Sequence, residues 1–390
     1  MKKVYFDNAA TSFPKPDGVG SAMLDYIKNI GCNINRSSYD GAYKAGETVF
    51  ETRSRLKNLF GAEDEKNIIF TPSDTYSLNM LIKGIVRPGD HIAVSSMEHN
   101  AVMRPVEALA AKGIITYDVI ECDVDGSISE QKMQTGLEHI LEKAQRKRKC
   151  FRAVVLTHGS NVCGRILPIA AAGKFCRNNN IFLIADCAQT AGILDIDMEK
   201  MGLDAVSFSG HKSLYGPQGI GGFAVSSRLV GQMDTIIEGG TGSFSHLLTM
   251  PEELPDRFEA GTMNIPGIYG LKAGLEFIGQ TGIDKIRDHE NAVAESFVEK
   301  LTGIDGLHVY SGRLPVVSLA CDRIDPAELA YRLETDYGIW TRVGLHCAPT
   351  AHRTIGTFPS GTVRFSFGYF NTLEEAEYGA QAVRSICERC

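Results

Sequence analysis

Between residues 67 and 225 the chain alternates short β-like runs with stretches of helical character, and few folds accept that pattern. The runs are Asn67–Phe70, His91–Ser95, Ile115–Ile120, Ala153–Thr157, Ile181–Ala185, Ala205–Ser209 and Gly222–Val225. Several are almost continuously apolar, as strands buried on both faces are. Helix candidates lie between them at Tyr76–Ile85, Val102–Ala111 and Ile169–Asn178. The alternation predicts an α/β fold of parallel strands joined by crossover helices. Functional residues are then expected in the loops at the carboxyl edge of the sheet.

After about Pro255 the pattern changes. Helical stretches at Ile268–Ile278 and Ile283–Leu301 precede strand-like pieces at Leu307–Tyr310, Val316–Ala320 and Gly361–Phe367, and a closing helix runs from Leu373. This reads as a smaller α+β domain. A length of 390 residues agrees with one large and one smaller domain. Hydrophobic residues at 43% and charged residues at 22% fit an ordinary soluble globular protein. A net charge of −7 argues against a general nucleic-acid or anionic-membrane surface. The one basic run, Arg146 to Lys149, reads as a solvated helix end or loop. No stretch approaches the ~20 apolar residues of a membrane span, and the expected location is the cytoplasm. Ten cysteines are scattered without the spacing of a disulfide scaffold, and most read as small buried hydrophobes. Cys347 and the terminal pair Cys387 and Cys390 stand apart. With no second ligand pair beside it, the terminal pair reads as fortuitous and no metal site is expected.

Five loops following apolar runs carry chemistry. Ser209-Gly210-His211-Lys212 offers an amine just past a strand, although taken alone it reads first as a plain surface lysine. Asp186 ends a strand and Gln189 follows three residues later. Pyridoxal 5′-phosphate (PLP) needs such a carboxylate against its pyridine nitrogen, so that the protonated ring accepts electrons. Gln189 is placed to reach the ring hydroxyl. The segment Phe70–Thr75 joins a strand to a helix, where free N–H groups and the helix dipole suit a phosphate, with Thr75 and the Ser73 and Asp74 backbone as donors. The Asp74 side chain is awkward beside a phosphate and is expected to turn away or cap the helix. His99, in Ser96-Met97-Glu98-His99-Asn100, is placed to stack on the ring and move protons, and Asn161 to bond the cofactor hydroxyl or the substrate.

Six motifs then occur in order: Tyr5-Phe6-Asp7-Asn8-Ala9-Ala10-Thr11, Ser96 to Asn100, Ser160-Asn161-Val162-Cys163-Gly164, Asp186-Cys187-Ala188-Gln189, Ser209 to Lys212, and Arg257-Phe258-Glu259-Ala260-Gly261-Thr262. Together they resemble the class V aminotransferases of the cysteine desulfurase and selenocysteine lyase group, over essentially the whole chain. The resemblance implies PLP fold type I, with a mainly parallel seven-stranded sheet flanked by helices. It implies a large PLP-binding domain over 14–255 and a small domain over 1–13 and 256–390. It also implies a homodimer whose partner supplies a phosphate contact, for which Thr241 in Glu238 to Gly242 is the candidate. Ser209 and His211 join the implied cofactor contacts, and Lys212 carries PLP covalently.

The segment Arg342 to Ala348 resembles the family stretch that holds a persulfide-forming cysteine, here Cys347. Arg364 matches the arginine that binds the substrate carboxylate, which a guanidinium grips through two parallel hydrogen bonds. A thiolate is a suitable nucleophile toward sulfur. The implied reaction takes L-cysteine to L-alanine: Lys212 moves the α-proton, Cys347 attacks the substrate sulfur, and a persulfide remains for an acceptor protein. The short spacing from Cys347 to Arg364 looks like the selenocysteine-lyase-like branch, so L-selenocysteine is a rival substrate. A C–S lyase or true aminotransferase and a non-catalytic sulfur-transfer scaffold are further alternatives. Two segments depart from the family pattern: Asn35-Arg36-Ser37-Ser38-Tyr39, where relatives are histidine-rich, and Ser73-Asp74-Thr75.

Overall fold

A computed structural model describes residues 3–34 and 39–390. Of the departing segment at Asn35 to Tyr39, only Tyr39 falls within the described residues, where it is exposed and precedes the helix Asp40–Phe60. The strands are β1 Val4–Tyr5, β2 Ile68–Thr71, β3 His91–Ser95, β4 Thr116–Ile120, β5 Phe151–Thr157, β6 Phe182–Asp186, β7 Ala205–Ser209, β8 Gly221–Val225, β9 Leu307–Ser311, β10 Val316–Cys321, β11 Ile339–Trp340, β12 Arg342–Gly344 and β13 Thr362–Ser366.

Seven of them form one sheet in the order β2-β8-β7-β6-β5-β3-β4. Strands β3 to β7 pair in parallel, as the alternation predicts. Strand β8 is the exception and runs antiparallel to both β2 and β7. Only residues 210–220 separate β7 from β8, with no helix among them, and a parallel return needs a longer crossover. Helices cover both faces because the strands are apolar on both, so two core clusters lie on opposite sides of the sheet. The expected helices are present, extended to Asp74–Ile85, Asn100–Ala111 and Ile265–Thr281. The basic run caps a helix that ends at Arg146.

A second, antiparallel sheet runs β12-β13-β10-β9. Its core gathers Phe6, Phe297, Phe365 and Phe367, with ring centroids 4.6–6.4 Å apart. Burial of each such ring contributes about 1.5–3 kcal/mol. Phe6 reaches this core because β1 pairs with β11 in parallel, carrying the N-terminal residues to the C-terminal sheet. Asp7 then bridges to Ser366 at the end of β13. Among the described residues no helix is long and apolar enough to cross a membrane.

Candidate active site

Strands β2, β3, β5, β6 and β7 all end at one edge of the large sheet, and a cavity of about 120 Å3 lies over that edge. It is lined from β7 by Ser209, His211 and Lys212, and from β6 by Asp186 and Gln189. The loop after β5 adds Asn161, the loop after β3 adds His99, and the turn after β2 adds Ser73, Asp74 and Thr75. Loops far apart in sequence meet here because parallel strands stack their carboxyl ends side by side.

The Lys212 amine and the Asp186 carboxyl are both buried and attract each other electrostatically. Burial holds the amine below the ordinary lysine range, while Asp186 and Asp74 raise it part of the way back. Burial likewise pushes Asp186 up, against the Ala188 N–H bond to its Oδ1 at 3.0 Å and the nearby Lys212. Gln189 Nε2 donates to the Ala9 carbonyl, so the N-terminal segment walls one side. Lys15 secures that wall, donating to the His211 carbonyl at 2.7 Å and to Ser12 Oγ at 2.8 Å.

His99 caps the helix Asn100–Ala111, its Nδ1 accepting the Ala101 N–H at 3.1 Å. Burial, with Lys212 and Arg364 nearby, pushes the imidazole down to about 3. The ring is therefore neutral, with Nδ1 occupied and its proton on Nε2. Glu98 beside it is fully buried and accepts from Ser95 Oγ and from the Thr157 N–H at 2.9 Å, tying the end of β3 to β5. Burial pushes Glu98 up to about 8.

Asp74 corrects the expectation placed on it, since it neither turns away nor caps. Ser73 takes the N-cap position, which makes Asp74 the first helical residue. Its side chain points inward to line the cavity, only 7% exposed. Gly221 on β8 permits this approach, because a Cβ there would stand 2.9 Å from the Asp74 nitrogen.

Arg364 and Cys347 lie outside the cavity lining but are attached to it through Asn161 and Asn100. Arg364 Nη1 donates to the Asn161 carbonyl at 3.1 Å, and Nη2 pairs with Asp7 at 2.7 Å. Its Nε, also buried, has no hydrogen-bond partner among the described residues. Asn161 Nδ2 donates to the His346 carbonyl at 2.8 Å, and the Asn100 N–H to the Cys347 carbonyl at 2.7 Å. His346 and Cys347 both adopt left-handed backbone, at φ +47° and +57°. Non-glycine residues in that region each cost about 1–3 kcal/mol and persist where neighbours hold them. The Cys347 side chain is exposed. Thr241 lines a different cavity, with Ser243 and Leu247, and does not reach Lys212 in its own chain.

The class-V aminotransferase pattern matches residues 4–378. The chain belongs to the class-V aminotransferase family. A probable cysteine desulfurase of Pyrococcus abyssi is 33% identical, over 96% of this chain and 92% of that protein. One of Methanothermobacter thermautotrophicus is 28% identical over 98% and 94%. The apo structure of cysteine desulfurase from Thermococcus onnurineus superposes with a TM-score of 0.88 at 29% identity, covering 100% of this chain and 95% of that one. An Escherichia coli cysteine desulfurase in an S-sulfonic acid form gives 0.87 at 27% identity, covering 99% and 95%. As a class-V aminotransferase the protein is PLP-dependent and takes fold type I.

The residues present fit that cofactor. An amine, a buried carboxylate and a helix N-terminus with hydroxyls beside it match an aldehyde, a pyridine nitrogen and a phosphate. His211 Nδ1, buried at the cavity, has no partner among the described residues and is open to one. Two contributors escaped the sequence reading. Asp7 and Glu98 sit within motifs that drew attention to other residues, and only their contacts reveal them.

Proposed function

We propose that this chain is a PLP-dependent cysteine desulfurase, which converts L-cysteine to L-alanine and leaves the sulfur as a persulfide on Cys347. The observation that carries the reading is one residue, Asn161, which lines the Lys212 cavity while touching both Arg364 and the backbone of the Cys347 loop. Asn161 thereby links the Lys212 cavity to the proposed carboxylate-binding arginine and to the loop that carries the exposed Cys347. Relatives named cysteine desulfurase over nearly the whole chain support it.

Bound PLP supplies the electron sink that lets the α-proton leave and the carbon–sulfur bond break. Lys212 would hold the cofactor and shuttle the α-proton, its lowered affinity for protons making the neutral amine accessible. Asp186 would face the pyridine nitrogen, and Thr75, Ser209 and His211 the phosphate, with the Ser73 and Asp74 N–H groups. Gln189 and Asn161 would face the ring hydroxyl and substrate. His99, neutral and capped, would lie against the ring as a hydrogen-bond donor. Arg364 would take the substrate carboxylate through its unpaired Nε. The Cys347 thiolate would attack the substrate sulfur, forming the S–S bond as the carbon–sulfur bond breaks. The proton that Lys212 holds would return to the α-carbon and the proton released by the Cys347 thiol would end on the β-carbon, completing alanine.

We also infer a homodimer. Leu247 and Leu248 are exposed on the segment that holds Thr241, which fits a partner covering them and receiving Thr241 at its phosphate site. Sedimentation equilibrium reads this directly. A sulfur-acceptor protein would then collect the persulfide, and ten free thiols suit the cytoplasm.

The decisive experiment measures alanine, and sulfide or selenide, from L-cysteine and L-selenocysteine with wild type and Cys347→Ala. Alanine from cysteine that vanishes in the variant is the expected result. Activity on selenocysteine alone, surviving the substitution, replaces the reading with a lyase; no alanine from either substrate overturns both.

A further inference from the structure

The cofactor cavity contains one acid more than its chemistry needs. Asp186 already supplies a carboxylate, yet Asp74 points into the same space from the start of the helix Asp74–Ile85. Asp74 is only 7% exposed, and its Oδ1 has no hydrogen-bond partner among the described residues. An ionised carboxylate accepts at both oxygens, and one left without a donor in a dry site is costly. The unpartnered Asp74 oxygen is better accounted for as an O–H than as an O⁻.

The surroundings agree. Asp186 at the end of β6 faces Asp74, and its negative charge opposes a second one. The Cys187 thiol lies within range from the same turn, and Lys212 from beyond β7 supplies a cation. The Ser207 hydroxyl on β7 donates to the Ala185 carbonyl at 3.5 Å and lies near enough to the Asp74 side chain to favour its charged form. Two carboxyls so placed do not both ionise, and the member without the lysine's full attention keeps the proton. Burial first, then Asp186, push Asp74 up to about 8, against the pull of Ser207 and Lys212.

We propose that Asp74 is held as the neutral acid and serves the cofactor cavity as a hydrogen-bond donor, leaving Asp186 as the single negative charge available to the cofactor ring. The inference rests on the reading that this cavity binds PLP. A neutral Asp74 also resolves its awkward place at a helix terminus suited to phosphate, since a donor helps an anion where a carboxylate repels it. Ionisation of Asp74 at alkaline pH then weakens the hold on the phosphate.

The test uses the full chain, with and without PLP, as wild type and Asp74→Asn. Asparagine keeps a donor and cannot ionise. Infrared difference spectra between the two cofactor-free proteins at neutral pH should contain the carbonyl band of a protonated carboxylic acid, contributed by wild type and lost above about pH 8. PLP affinity, read from absorbance titration, should match within about threefold at neutral pH, and wild type alone should lose about tenfold by about pH 9.5. A difference spectrum without the acid band overturns the proposal. So does a tenfold loss of PLP affinity in Asp74→Asn at neutral pH, which would make Asp74 a working anion. Failure of both proteins to take up PLP would sink the cofactor reading instead, and the infrared band would still report the state of Asp74.

Discussion

Arg364 illustrates how one residue can be both a structural tie and a binding group. Two of its nitrogens are used within the fold, on Asp7 and on the Asn161 carbonyl, and Nε remains. A lysine offers no planar fork, and its single nitrogen cannot reach partners spread around three nitrogens of a guanidinium. A hydrogen bond to a charged group is worth about 1.5–3 kcal/mol, or roughly 10- to 100-fold in affinity. Arg364→Lys is therefore expected to raise KM for L-cysteine by roughly that factor while PLP uptake, read by absorbance, is retained. An unchanged KM would remove Arg364 from the substrate site. The partner Asp7 lies 357 positions away in sequence, which is why no motif announces the pair.

At the scale of elements, the loops matter more than the strands that present them. The turn after β5 must reverse sharply so that Asn161 faces the cavity and Arg165 leads away. Gly164 makes that reversal at φ +65°, where a Cβ would meet the Leu314 and Val316 carbonyls at 2.8 and 2.9 Å. Neither contact is with a flexible side chain, so nothing yields cheaply. Gly164→Ala should destabilise the protein by at least about 2 kcal/mol, combining left-handed strain with the clash. A denaturation midpoint equal to that of wild type would show that the turn relaxes freely. The Cys347 loop solves the opposite problem, holding two non-glycine residues in the left-handed region by pinning their carbonyls. A loop so pinned presents its thiol at a fixed place rather than swinging it.

Across the whole molecule, buried acids and histidines set the dependence of stability on pH. Asp74, Glu98 and Glu290 are each pushed up to about 8 by burial. The folded state therefore keeps their protons where the unfolded chain, titrating near about 4, releases them. That contribution is full at low pH and is lost as pH rises toward 8. Burial pushes His158, His211 and His352 down to about 4, which acts in the opposite sense. The folded state excludes their protons, so stability rises with pH until about 6.5, the unfolded value. Between about pH 6.5 and 8 only the acids remain, and stability should fall. Glu290 is the probe of choice because it lies outside the Lys212 cavity and bonds the Tyr215 hydroxyl at 2.9 Å. Glu290→Gln should flatten the decline of the melting temperature in that window, measured on cofactor-free protein. An equal slope in both proteins would show that Glu290 is already ionised.

The sequence by itself determined where the chemistry would be concentrated. Apolar runs of strand length announce parallel strands, and the residues just beyond them must then share one edge, so the loops at Ser73, His99, Asn161, Asp186 and Lys212 were legible one by one. Local patterns report local backbone and burial, and these loops depend on nothing else. Tertiary structure alone decided the rest: the reversed direction of β8, the pairing of β1 with β11 that delivers Asp7 to Arg364, and the inward turn of Asp74. It alone also held His346 and Cys347 in left-handed backbone. Each of these is an agreement between segments remote in the chain, and remote partners leave no periodicity for a sequence to carry.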